Sequence, residues 1–134
     1  ILKRSLVTVP STGLERIARE VWGLDAACVV RNPVGVDLAR FRVADRRYDR
    51  APVTVVAIGA LRGEKNFARL IAAFARADEG KRAQLVIYGA GPQQDDLRGR
   101  AAQSPAADRI SLAGPTAAPE TALAGADIFA LSSD

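Results

Sequence analysis

The chain has 134 residues, 49% of them apolar and 25% charged, and carries a net charge of +4 with one cysteine and no histidine. That is the size of one ordinary domain with enough apolar material for a real core, so a disordered tail is excluded, as is an internal disulfide. Without imidazoles, the usual transition-metal ligand sets and Ser-His-Asp or Cys-His catalytic groups cannot be assembled from these residues, whatever Ser132 and Ser133 suggest.

Residues 6–9 read as a short strand, and Ser11 is a plausible N-cap for a helix that carries Glu15 near its first turn. Leu14, Ile17, Val21 and Trp22 share one face of that helix. Residues 27–30 form a second short strand. It contains Cys28, whose plainest role is that of a small buried apolar residue in a reduced, cytosolic setting. The strand leads into Asn32-Pro33-Val34-Gly35-Val36-Asp37. From there to residue 51 the chain is charged, with Arg40, Arg42, Arg46, Arg47 and Arg50, and offers few core positions. It reads as a linker, residues 37–51, between a first lobe (1–36) and a second (52–134). A basic linker would suit an enzyme working at a membrane surface; a solvated connection is the simpler reading.

Beyond Pro52 the pattern alternates strand and helix. Residues 53–58 are a continuous β-branched, apolar run, as expected of a strand covered on both faces. A helix fits residues 66–77, with Phe67, Leu70, Ile71 and Phe74 on one face and Arg69 and Arg76 off it. Residues 84–88 are the next strand. Pro92 suits a first helical turn, and Asp95 and Asp96 favour the positive end of a helix reaching about Gln103. Then come a strand at 109–113, a short helix at 119–124 and a strand at 127–131 that ends in Ser132, Ser133 and Asp134. Successive βα units at this spacing predict an α/β fold with a doubly wound parallel sheet, Rossmann-like. No repeat or low-complexity segment accompanies it. No apolar run approaches the roughly 20 residues a membrane-spanning helix needs, and no signal-peptide pattern opens the chain. A sheet whose last strand is followed by nothing reads as part of a larger two-lobed protein, cut at both ends.

The chemistry concentrates at strand ends. After the strand at 53–58, Gly59-Ala60-Leu61-Arg62-Gly63-Glu64-Lys65-Asn66 sets a glycine turn and two cations ahead of a helix, an arrangement suited to a diphosphate. Solvated loop charges are the plainer explanation of the same residues. Tyr88-Gly89-Ala90-Gly91-Pro92 invites a dinucleotide reading, but the third glycine of the fingerprint would fall at Gln94, which removes the nicotinamide hypothesis. Leu112-Ala113-Gly114-Pro115-Thr116 repeats the glycine turn one unit later. Three such turns at one end of three strands mark the edge along which open α/β sheets bind ligands. The pI near 9.8 favours polyanionic partners. Scattered arginines with four Phe, two Tyr and one Trp make a poor nucleic-acid footprint, whereas diphosphates or an anionic membrane surface fit.

In order and spacing these pieces resemble the retaining nucleotide-sugar glycosyltransferases of GT-B architecture, family 4. The matching residues are Asn32 with Gly35-Val36-Asp37 and Phe41; Gly59-Ala60-Leu61 with Lys65-Asn66; Gly89-Ala90-Gly91-Pro92; Leu112-Ala113-Gly114; and Ala126-Asp127-Ile128-Phe129 with Ser132-Ser133. The resemblance covers nearly the whole chain. It implies the first part of a donor-binding lobe, joined by the linker to an acceptor lobe mostly absent here. It also implies transfer of a sugar from a nucleoside-diphosphate sugar to an acceptor hydroxyl of a glycan or a lipid-linked molecule, as in polysaccharide synthesis.

By the same resemblance Lys65 contacts the donor diphosphate, Gly114 with Pro115 and Thr116 matches the loop whose backbone meets the nucleobase, and Gly91 and Ser133 line the donor cleft; Gly59 and Asn66, on the turn with Lys65, are counted among the donor-binding residues. The family arginine is replaced by Ala60, and Arg62 is the candidate substitute. Asp127 reads as structural. No cofactor is implied beyond the donor substrate, and the reaction can proceed without a metal. The paired glutamates of the family, E-x-x-x-x-x-x-x-E, would lie past residue 134, so this piece alone is expected to be inactive. A cytoplasmic location, at the inner membrane surface, accompanies the family reading. Two rivals stay open: a nucleotide-sugar epimerase of the same architecture, and a non-catalytic doubly wound binding or regulatory module. The latter usually carries a phosphoacceptor aspartate where this chain has Ile58-Gly59.

Overall fold

The computed structural model describes residues 5–41, 52–77 and 82–134. The chain divides into two compact units, Ile1–Phe41 and Arg42–Asp134. In the first, strand β1 (Val7–Val9) pairs in parallel with β2 (Val29–Arg31), and helix α1 (Thr12–Glu20) connects them. Ser11 caps α1 as expected, its hydroxyl accepting from the Leu14 N–H at 3.2 Å. The core is small: Val9, Ala18, Leu24 and Val29, with Val7 against it.

Two readings are corrected here. The helix ends at Glu20, so of the residues read on one of its faces Leu14 and Ile17 lie in α1 while Val21 caps it and Trp22 follows; within this unit all four are exposed and Ala18 is the buried helix residue. The second strand also begins late. Asp25 accepts from the Ala27 N–H at 2.9 Å, and this Asx turn winds Ala26–Cys28 into a 3-10 turn before β2 starts; Cys28 is half-buried. Of the expected linker, residues 42–51 lie outside the described residues. Residues 37–41 form a turn in which Asp37 Oδ1 accepts from Ala39 and Arg40.

The second unit is an all-parallel sheet in the order β5-β4-β3-β6, as the alternating pattern predicts. Its strands are β3 (Val53–Ile58), β4 (Ala83–Tyr88), β5 (Ile110–Gly114) and β6 (Ile128–Phe129), and its helices α2 (Phe67–Ala77), α3 (Gln94–Ala102) and α4 (Pro119–Ala124). Alternation along the strands decides what each face meets. Ala57, Leu85 and Ile87 join Phe67, Ile71 and Phe74 of α2 and Leu97 and Ala101 of α3 in one core. Phe67, Leu61, Leu85, Ile87 and Leu97 are its largest fully buried side chains, each worth about 1.5–3 kcal/mol over exposure. Thr54, Val56, Gln84, Val86 and Tyr88 line the opposite face, where α4 closes one side of a hollow of ≈ 370 Å³.

Element ends moved where side chains intervened. Helix α3 starts at Gln94, after Pro92 and Gln93 make a turn. Strand β5 starts at Ile110 because Ala107–Arg109 is a 3-10 turn, from which Arg109 donates to the Ala83 carbonyl at 3.2 Å and stacks 5.6 Å from the Phe74 ring. Strand β6 spans two residues rather than five. Ahead of it the Asp127 carboxylate takes the Thr54 N–H at 2.7 Å while the Asp127 N–H donates to the Thr54 carbonyl at 2.8 Å, and the chain beyond Ala130 turns toward the loop after β3.

Candidate site at the split between β3 and β6

From β3 the chain moves outward through β4 to β5, then crosses to the other side of β3 to form β6. The carboxyl ends of β3 and β6 are therefore a topological switch point, where connections leave in opposite directions and open a crevice. β3 pairs with β4 along six residues but with β6 along two, so Ala57 and Ile58 pair with β4 alone and extend past the register shared with β6. The loops above this split carry the cations singled out from the sequence.

The loop after β3 is anchored at both ends. Leu61 is buried to 1% exposure in the core, and Asn66 stands in the left-handed region at φ 47°, ψ 43°, a conformation asparagine tolerates better than most residues. Between them Gly63–Lys65 makes a 3-10 turn, with Lys65 N–H donating to Arg62 and Asn66 N–H to Gly63. Asn66 does not begin α2 but precedes it, its Oδ1 accepting from the Arg69 N–H at 3.3 Å. Arg62 is exposed and Lys65 half-buried. Neither pairs with a carboxylate among the described residues. Two cations three residues apart, without a carboxylate partner among the described residues, suit an anionic ligand at a switch point.

The glycines take part in close packing between the loops. The Gly59 and Leu61 N–H groups donate to Tyr88 and Ala90 at 3.0 and 2.9 Å, and Gln93 N–H returns to Leu61 at 3.0 Å, so the loops after β3 and β4 are zipped together. A Cβ on Gly89 would sit 1.9 Å from the Gly59 carbonyl oxygen, and one on Gly91 2.5 Å from that of Leu61. Loop-on-loop packing thus requires glycine at both positions. Gly114 differs: at φ +78° its missing side chain faces open space, and its carbonyl accepts from the Gly89 N–H at 2.8 Å. It follows a bulge, since Ile87 pairs with Leu112 but Tyr88 with Gly114. Bulges often re-aim strand ends beside ligand sites. Thr116 lies at the hollow beneath α4 with Tyr88, its hydroxyl accepting from the Ala118 N–H at 3.1 Å.

The structure therefore joins Gly59, Arg62, Lys65 and Asn66 in one loop, ties Gly91 to it through Leu61, and ties Gly114 to the next loop through Gly89. Ser133 is exposed. Its neighbours, which the sequence reading left without a role, are the ones that touch the cationic loop. Ser132 Oγ donates to the Lys65 carbonyl at 2.8 Å, and Asp134 engages Glu64, Asn66 and Arg69. Nothing in the sequence pairs these residues across some 67 positions. Among the described residues no group of three His, Cys, Asp or Glu is placed to hold a metal, and no helix is long and apolar enough to cross a membrane.

Residues 44–134, more than half of the chain, match the sequence profile described as glycosyl transferases group 1. The chain belongs to that family. Solved structures agree with the group 1 assignment at the level of fold. Anabaena HepE, in complex with UDP, superposes with a TM-score of 0.77 at 19% identity, covering 96% of this chain and 38% of HepE. A TarM variant of S. aureus, solved with fondaparinux, α-GlcNAc-glycerol and UDP, gives 0.79 at 16% identity over 100% of this chain and 27% of TarM. The pneumococcal O-GlcNAc transferase GtfA, with UDP and GlcNAc, gives 0.76 at 23% over 94% and 25%. The group 1 chain thus has a parallel-sheet, Rossmann-like α/β fold that matches part of GT-B glycosyltransferases and spans well under half the length of these structures. A sequence search of curated proteins finds no match.

Proposed function

We propose that this chain supplies the donor-side cleft of a longer glycosyltransferase, one that moves a sugar from a nucleoside-diphosphate sugar to an acceptor hydroxyl. The observation that carries the reading is the pair of cations, Arg62 and Lys65, on the loop above the β3/β6 split, neither paired with a carboxylate among the described residues. Family membership and the UDP held by the similar folds support it. As the glycosidic bond breaks, negative charge grows on the departing diphosphate. Cations fixed at its oxygens stabilise that state more than the ground state, a role that elsewhere falls to a metal. Lys65 is assigned the diphosphate. Arg62 stands in for the arginine that Ala60 replaces. Gly114 and Thr116, one unit along the same edge, are assigned the nucleobase end.

Retention of anomeric configuration, a hexosyl donor, membership of family 4, a glycan or lipid-linked acceptor and a cytoplasmic location at the inner membrane surface belong to the same proposal. The test is calorimetric titration of the full-length protein with UDP, GDP and ADP. One nucleotide should bind best. Lys65→Ala should weaken it by roughly 1.5–3 kcal/mol, a loss of tenfold or more, and Arg62→Ala should act in the same direction. Unchanged affinity in both variants would move the site away from this loop.

A further inference from the structure

The segment that follows β6 is fastened to the cationic turn and the start of α2 by the side chains of Ser132 and Asp134 and by one main-chain hydrogen bond. Ser132 Oγ donates to the Lys65 carbonyl at 2.8 Å. The Asp134 N–H donates to the Glu64 carbonyl at 3.1 Å. The Asp134 carboxylate accepts from Asn66 Nδ2 at 3.0 and 3.2 Å and meets Arg69 Nη2 at 2.7 Å. The peptides on both sides of Lys65 are thereby held from the opposite wall of the split. Asn66 makes this fastening consequential. Its positive φ turns the chain sharply out of the 3-10 turn, and its amide is pinned at one end by the Arg69 N–H and at the other by Asp134. Release of Asp134 frees the residue that sets the direction of the turn.

We propose that Ser132 and Asp134 are positioning residues for Lys65, fixing the direction in which its ammonium meets the ligand. The inference rests on the donor-site reading above. The members of the clamp are not equal. Asp134 and Arg69 are more than half exposed, so their ion pair is screened and contributes little. The hydrogen bonds to the Lys65 carbonyl and from Asn66 carry the function.

A positioning role differs from a purely structural one in its dependence on Lys65, which a thermodynamic cycle reads directly. In the full-length protein, Ser132→Ala and Asp134→Ala should each weaken the best-binding nucleoside diphosphate by about two- to tenfold, the range for one lost hydrogen bond. Asp134→Asn keeps an acceptor for the Asn66 amide and should stay within about twofold of the parent. In a Lys65→Ala background, the Ser132 and Asp134 substitutions should cost no further affinity. Hydrogen exchange of the Lys65 and Asn66 amides, measured without ligand, should accelerate in Ser132→Ala while the amides of β3 and β4 keep their protection. That local readout keeps the test valid if the alanine variants lose stability.

Two results overturn the proposal: parent-like affinity in both alanine variants, or losses that add fully to that of Lys65→Ala. A different result, equal affinity of the parent and Lys65→Ala, removes the donor-site reading itself and the clamp with it.

Discussion

At the scale of single residues, the glycines separate into classes that a sequence motif does not distinguish. Gly89 and Gly91 face backbone, and an added methyl would overlap the carbonyls of Gly59 and Leu61; Gly63 has nothing within 4 Å and no positive φ. Gly91→Ala should therefore destabilise the second unit by about 1–3 kcal/mol, as overpacking against a fixed backbone does, and Gly89→Ala by at least as much because its φ of +156° adds strain. Gly63→Ala should stay within about 0.5 kcal/mol of the parent. Denaturant unfolding of the three variants checks the ranking. A neutral Gly91→Ala would mean that the two loops separate more readily than their hydrogen bonds indicate. Lys65 and Arg62 were visible in the sequence because a strand, a glycine turn and cations in succession have a physical meaning. Ser132 and Asp134 were not, since a hydroxyl and a carboxylate after a short strand acquire a role only when folding delivers the Lys65 turn beside them.

Among the elements, β6 shows most clearly how side chains override pattern. The alternation of strands and helices predicted a strand over 127–131, yet two residues pair, and the edge is completed by the Asp127 carboxylate at the Thr54 N–H. Thr54 in turn accepts from Gln84 Nε2 at 2.9 Å, so one polar chain crosses β6, β3 and β4 near their amino ends. Asp127→Ala should leave the Thr54 N–H unpaired beneath the sheet edge and cost about 1–3 kcal/mol, while Asp127→Asn, which can still accept, should cost less. Equal losses in the two variants, measured by denaturant unfolding, would assign the effect to charge instead. The alternation of βα units was fully legible because its period survives small errors in the ends. The ends themselves were not, because they depend on partners such as Asp25 with Ala27, or Arg109 with Ala83 and Phe74.

The whole molecule is uneven in how firmly it is held. Among the described residues the first unit has four buried core residues and the second twelve, and β3 and β4 are the strands paired on both edges. Opening free energy follows such differences, so amides of β3 and β4 should exchange slowest and those of β1 and β2 markedly faster. Uniform protection across both units would show that they unfold as one. The crevice stands on the slow-exchanging part: its floor is central strand, and only its rim is loop.

The zipped loops also bear on how such a cleft could be altered. Because the volumes absent at Gly89 and Gly91 are occupied by neighbouring main chain, these positions cannot be recruited to reshape the proposed donor cleft without separating the loops after β3 and β4. Variation in what the proposed cleft accepts has to run through exposed side chains, Arg62 and Ser133 among them. The backbone of the rim behaves as a fixed template and its outward side chains as the interchangeable part, so a library meant to change ligand preference belongs at the latter and should leave the former untouched.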